Sequence, residues 1–152
     1  MVQGREQLRQ FFDQIPTAIR REVADEMEKQ ANTIVREMNA LKPLPEIVVA
    51  WTWGDEPQGT LKIGRVATAK SARLAITIYA TATTTVYPKG FPAIAAWAEF
   101  GTDPRFQKTT GRYTGMIMAN PYFFPVFRAN RSRARGAITR AVKRGLKKVR
   151  NT

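Results

Sequence analysis

The sequence predicts an α+β fold: a long N-terminal helix packed on a small antiparallel sheet of about four strands, plus a C-terminal amphipathic basic helix. Three observations lead there. Apolar residues recur every three or four positions from Ile15 to Leu41, β-branched and aromatic runs fill the stretch from Ile47 to Phe100, and a helical period returns after Pro121. The 152 residues suit a single domain with one core, divided into helical residues 1–42, a sheet over 46–101, a long loop over 102–120 and a C-terminal helix over 121–150.

The first helix carries Ile15, Ile19, Val23, Met27, Ala31, Ile34, Val35, Met38 and Leu41 on one face, with Arg20, Glu22, Asp25, Glu26, Lys29 and Glu37 among its wet positions. Pro16 suits the first turn, and Pro43 and Pro45 stop the helix after roughly 39 Å at about 1.5 Å per residue. A short amphipathic segment with Leu8, Phe11 and Phe12 precedes it. Four strands follow, over 47–53, 61–66, 73–80 and 95–100, joined without an intervening helical pattern and so read as antiparallel. Alternation sets Trp51 and Trp53 on one sheet face, where the first helix covers them, and places Leu74, Ile76 and Ile78 together on one face of their own strand.

Residues 102–120 show neither period, and a loop this long is usually functional or mobile. It carries Arg105, Lys108 and Arg112 with Phe106 and Tyr113 among them. In the last helix Ala134, Ile138, Ala141, Val142, Leu146 and Val149 form an apolar stripe, opposite Arg133, Arg140, Lys143, Arg144, Lys147 and Arg150. Arg131 and Arg135 fall on the apolar side of the first turns, which demands an acidic partner or an exit to solvent.

Composition narrows the function. The chain has no cysteine and no histidine, which excludes zinc fingers, thiolate nucleophiles and histidine-based triads. A carboxylate-dependent hydrolase would rest on Asp55, Glu56, Glu99 and Asp103, whose spacing forms no recognisable pair. The expectation is therefore no enzyme, with no catalytic, cofactor-binding or metal site and no small-molecule substrate. No apolar run is long enough to span a membrane, and the polar N-terminus MVQGREQLRQ lacks a signal-peptide core, which points to the host cytoplasm during synthesis.

Charge is placed unevenly. Residues 1–104 hold 12 Lys and Arg against 12 Asp and Glu, so the net charge of +13 belongs wholly to the 13 cations of residues 105–152. Such a segment commonly meets nucleic acid or an acidic protein surface.

Two strings, Trp97-Ala-Glu-Phe-Gly-Thr102 and Pro121-Tyr-Phe-Phe-Pro125, stand in this order between a proline-ended first helix with its sheet and a C-terminal helix. In this arrangement the chain resembles the tail-completion (gp-ten-like) neck proteins of long-tailed phages. The resemblance covers nearly the whole chain, with one departure: Leu44-Pro-Glu-Ile47 and Gly59-Thr-Leu61 stand where the family often carries Thr-Gly-x-Leu. It implies a structural virion protein of the neck or tail, closed into a sixfold homo-oligomeric ring that joins head to tail and binds other neck and tail ring proteins. A tail terminator ring protein, or a basic nucleic-acid-binding protein, is the alternative.

Within this reading the candidate partner or DNA contacts are Arg105, Lys108, Arg112, Arg131, Arg133, Arg135, Arg140, Lys143, Arg144 and Lys147. The basic helix face has three open readings: a solvated face, a dock for an acidic ring partner, and non-specific contact with genomic DNA passing the neck. Glu99, Phe100, Gly101, Phe123 and Phe124 are the candidate structural or intersubunit residues. Glu99, read as a strand residue facing the same way as Trp97, is expected in a salt bridge with an arginine. Gly101 is expected to make a turn that a Cβ would resist, and one of Phe123 and Phe124 is expected to face a neighbouring subunit.

Overall fold

The computed structural model describes residues 17–55, 60–65, 74–83 and 92–150. The expected segment around Leu8, Phe11 and Phe12, with Ile15 and Pro16, lies outside them, as do Glu56, Gly59, Val66 and Arg73.

Helix α1 (Thr17–Leu41) buries Ile19, Val23, Met27, Ala31, Ile34 and Met38 and leaves Arg21, Asp25, Lys29 and Arg36 to solvent. Burying each of the larger side chains stabilises the fold by about 1.5–3 kcal/mol relative to exposure. Strands β1 (Ile47–Trp53), β2 (Leu61–Arg65) and β3 (Ile76–Ala82) form an antiparallel sheet in the order β1-β3-β2, with Val49 opposite Ala80 and Trp51 opposite Ile78. The central β3 is the apolar one: Ile76, Ile78, Ala80 and Ala82 are all buried.

Polar side chains fix α1 to the outer edge of β1. The Asn39 amide donates to the Val49 carbonyl at 2.9 Å and accepts from the Val49 N–H at 3.3 Å, so one side chain occupies both backbone groups of an edge residue. The indole N–H of Trp51 donates to Asn32 Oδ1 at 2.8 Å, and that of Trp53 to Glu28 Oε1 at 2.9 Å. The first helix thus covers both tryptophans, as alternation along the strand predicts.

The sheet has three strands, where about four were expected, because residues 95–100 are helical. Helix α2 (Pro92–Phe100) reads PAIAAWAEF: four of its residues are alanine, the strongest helix former, proline sits at its first position and Gly101 stands just past its end. The short apolar run before Gly101 reads as a strand; propensity and punctuation override that reading, and Ala95 and Ala98 enter the core from a helix.

The region 102–120 also holds more order than a loop. Strands β4 (Arg105–Phe106) and β5 (Tyr113–Gly115) pair antiparallel in a separate two-stranded sheet. Helix α3 (Phe124–Arg150) then runs antiparallel to α1: Gly145 lies against Ile19 near one end, and Asn130 reaches Glu37 near the other. Its buried positions are Val126, Asn130, Ala134, Ala137, Ala141 and Gly145, a face that keeps Ala134 and Ala141 of the expected stripe but is rotated away from its larger residues. Ile138 and Val142 are half-buried, Leu146 is exposed, and the Val149 side chain lies outside the described ones. The rotation has a steric cause: small residues let the two helix backbones approach closely, which leucine would prevent.

Candidate functional site

The two strings that carry the resemblance meet in space as one clip. At the end of α2, Gly101 adopts φ +77°, and its N–H donates to the Trp97 carbonyl at 2.8 Å, closing the helix with a left-handed residue. A Cβ on Gly101 would lie 2.9 Å from the Ala119 nitrogen and 3.0 Å from the Ile117 oxygen, so only glycine fits. Thr102 holds the returning chain on both sides: its N–H donates to the Ile117 carbonyl at 2.9 Å, and its hydroxyl accepts from the Ile117 N–H at 2.9 Å. The Asn120 N–H donates to the Ala98 carbonyl at 2.8 Å, using a further free acceptor of α2.

Glu99 completes the clip. Its carboxylate is 2% exposed and accepts the backbone N–H groups of Tyr122 at 2.8 Å, Phe123 at 2.9 Å and Phe124 at 3.0 Å. These are donors that the start of α3 leaves unpaired. Phe123 accepts the first helical bond, from Phe127, but has no side-chain oxygen to cap with, and Pro125 has no N–H to satisfy. A carboxylate from another element therefore caps the helix, where negative charge also suits the dipole. The expected salt bridge to an arginine is corrected: among the described residues Glu99 makes no ion pair, because its helical setting aims it at backbone donors. Both oxygens are committed to that cap, which leaves the hydrolase reading without its most central carboxylate. The neighbouring Tyr122 hydroxyl is buried with no hydrogen-bond partner among the described residues, and burial, reinforced by the Glu99 charge, pushes its pKa well up.

What the clip displays is apolar. Phe100 is 62% exposed and Met118 71% exposed, with Met116 also outward; together with Trp97 and Gly101 they line a shallow depression. Phe123 is fully buried, whereas Phe124 is half-buried with its ring 5.6 Å from that of Phe100. The β4–β5 hairpin carries the exposed Phe106–Tyr113 pair, ring centres 5.6 Å apart, beside exposed Arg105, Lys108 and Arg112. The Arg105 guanidinium lies 5.8 Å from the Trp97 ring centre. The exposed methionines and this aromatic pair were not singled out by sequence reasoning as contact residues, since residues 102–120 show neither period.

The ten candidate cations lie on two parts of the fold, Arg105, Lys108 and Arg112 on the β4–β5 hairpin and the other seven on α3. On α3, Arg133 contacts Glu37 at 3.4 Å, and Arg144 contacts Glu22 at 3.2 Å and Glu26 at 3.4 Å. Lys148, not among the ten, reaches Glu22 at 2.9 Å, and its hydrogen bond, followed by that of Arg144, lowers the Glu22 pKa. The acidic face of the first helix is therefore partly occupied by the basic face of the last. Arg131 and Arg135 exit to solvent, and with Arg140, Lys143 and Lys147 they are exposed and make no ion pair among the described residues.

Among the described residues no group of three or more acidic, histidine or cysteine side chains converges as a metal site, and no helix is long and apolar enough to cross a membrane. Comparison with protein families, curated proteins and solved structures finds no match for this chain.

Proposed function

We propose that the chain is a ring-forming structural subunit, a neck or tail-completion component at the head–tail joint of a long-tailed phage. It works by contact between copies and neighbouring rings, without catalysis, cofactor or small-molecule substrate. One observation carries the reading. The strings Glu99–Thr102 and Pro121–Pro125, on which the family resemblance rests, are hydrogen-bonded into a single rigid unit whose outer surface is the exposed Phe100 and Met118. Exposed apolar side chains clustered on a fixed support mark an interaction surface. A patch on one end of the protomer meeting a different patch on the next copy is the heterologous contact that closes rings.

Partial pairing of α1 acids with α3 cations inside the protomer weakens charge as the force between subunits and leaves the apolar clip as the contact the reading relies on. The test is genetic and visual. Particles made without this protein are expected to show tails of normal length that fail to join heads, with the protein absent from the neck. Headless tails of uncontrolled length would move it to the terminator position, and normal infectious particles would refute a neck role.

A further inference from the structure

We propose that the exposed face of α3 is a sequence-independent site for the phosphate backbone of duplex nucleic acid, a property separate from any ring formation. At about 100° per residue, Arg131 and Arg135 fall on one flank of this face and Arg140 and Lys147 on the other. Ser132, Gly136 and Thr139 lie between them, together with Lys143 and, toward the end of the helix, Leu146. The face is thus mostly small or short polar residues around Lys143, with cations along either side. The residue at 136 has a use in this layout: the Arg140 guanidinium lies over Gly136, 3.3 Å from where a Cβ would stand. No acid occurs after Asp103, so nothing within the helix neutralises these cations.

The chemistry of the face decides between partners. A protein interface draws most of its energy from large buried anchors at its centre, yet among the described side chains the exposed ones of α3 include one large apolar residue, Leu146, near the end of the helix. Phosphate oxygens require only cations and small donors such as Ser132 and Thr139, on a surface flat enough for close approach. The other cations of the helix are used at home, Arg133, Arg144 and Lys148 on α1 carboxylates and Arg128 at 5.8 Å from the Phe124 ring centre. Apart from Arg150, whose side chain lies outside the described ones, the five that remain are exposed.

The experiment is fluorescence anisotropy of the full chain with a short labelled duplex of arbitrary sequence across a salt titration. Five cations on phosphates predict a slope of log K against log salt near −4.5 (about −0.9 per phosphate). Arg131→Ser with Arg135→Ser is expected to flatten it to about −2.7, while Arg21→Ser with Lys29→Ser on the exposed face of α1 leaves it unchanged. Far-UV circular dichroism confirms that each variant is folded. Absence of salt-dependent binding, or a slope indifferent to the α3 pair, overturns the proposal. So does polyglutamate displacing the duplex at equal charge concentration, which would make the face a dock for acidic protein.

Discussion

Removing the Glu99 carboxylate should release the start of α3 while leaving the rest of the core in place. Three backbone donors, of Tyr122, Phe123 and Phe124, depend on it at 2.8–3.0 Å in a site closed to water. A buried donor left unpaired costs about 1–3 kcal/mol, and bonds to a charged acceptor contribute about 1.5–3 kcal/mol each. Glu99→Ala also opens space that admits water, so the low end of that range applies, giving a loss of about 4 kcal/mol. For a chain of this size about 2–4 °C accompanies each kcal/mol, so the melting temperature should fall by about 8–16 °C.

Glu99→Gln separates charge from shape. Oε2 accepts from both Tyr122 and Phe123, and Oε1 accepts from Phe124 alone. An amide can keep its oxygen at the first position but must then turn its NH2 toward the Phe124 N–H, so it retains two weaker bonds and loses the third. The expected cost is about 2 kcal/mol, half that of alanine. Urea unfolding followed by far-UV circular dichroism measures both, with an unchanged m-value showing that the unfolded state is not the cause. Amide exchange at Tyr122–Phe124 should accelerate more than at Ala137 or Ala141 in mid-helix. Glutamine costing as much as alanine, or alanine costing less than about 1 kcal/mol, would refute the cap as the role of this residue.

The helix glycines predict opposite outcomes. Gly145→Ala places a Cβ 3.0 Å from Ile19 Cγ2 and 3.3 Å from its Cα, so overpacking of about 1–3 kcal/mol should exceed the helix-propensity gain and lower the urea midpoint. Gly136→Ala meets only the end of the flexible Arg140 side chain and should raise the midpoint by up to about 1 kcal/mol. Gly101→Ala combines a left-handed backbone with a Cβ 2.9 Å from the Ala119 nitrogen and should cost about 2 kcal/mol or more in the same assay. Glu22 has a lowered folded-state pKa, so its contribution is present above the unfolded carboxylate value near pH ~4.3 and is lost as pH falls through the folded value. The midpoint difference between wild type and Glu22→Gln should therefore be visible at neutral pH and vanish in acid once both states are protonated.

Periodicity made the long helices legible because each buries one continuous face, and it placed Trp51 and Trp53 against α1 correctly. It failed at residues 95–100, where Ala95, Ala98 and Glu99 serve the core at a helical spacing that a short apolar run of six residues does not reveal. The stripe on α3 was displaced because hydrophobicity ranks Leu146 above Gly145, whereas close helix packing ranks them the other way. Glu99 drew attention as an acid among apolar residues, yet its partner was hidden: a carboxylate that binds backbone N–H groups 23–25 positions away leaves no mark in side-chain identity. Gly101 was legible because the sequence Glu-Phe-Gly-Thr allows few reasons for a glycine after a bulky residue, and the positive φ supplies the one anticipated.

Native mass spectrometry of the purified 17.1 kDa chain tests the proposed assembly most directly. The reading predicts one closed oligomer at a fixed multiple of that mass, reverting to folded monomer when Phe100→Ser and Met118→Ser remove the apolar surface of the clip. A folded monomer at every concentration, alone and with neighbouring tail proteins, would contradict it, as would an oligomer unaffected by those two changes.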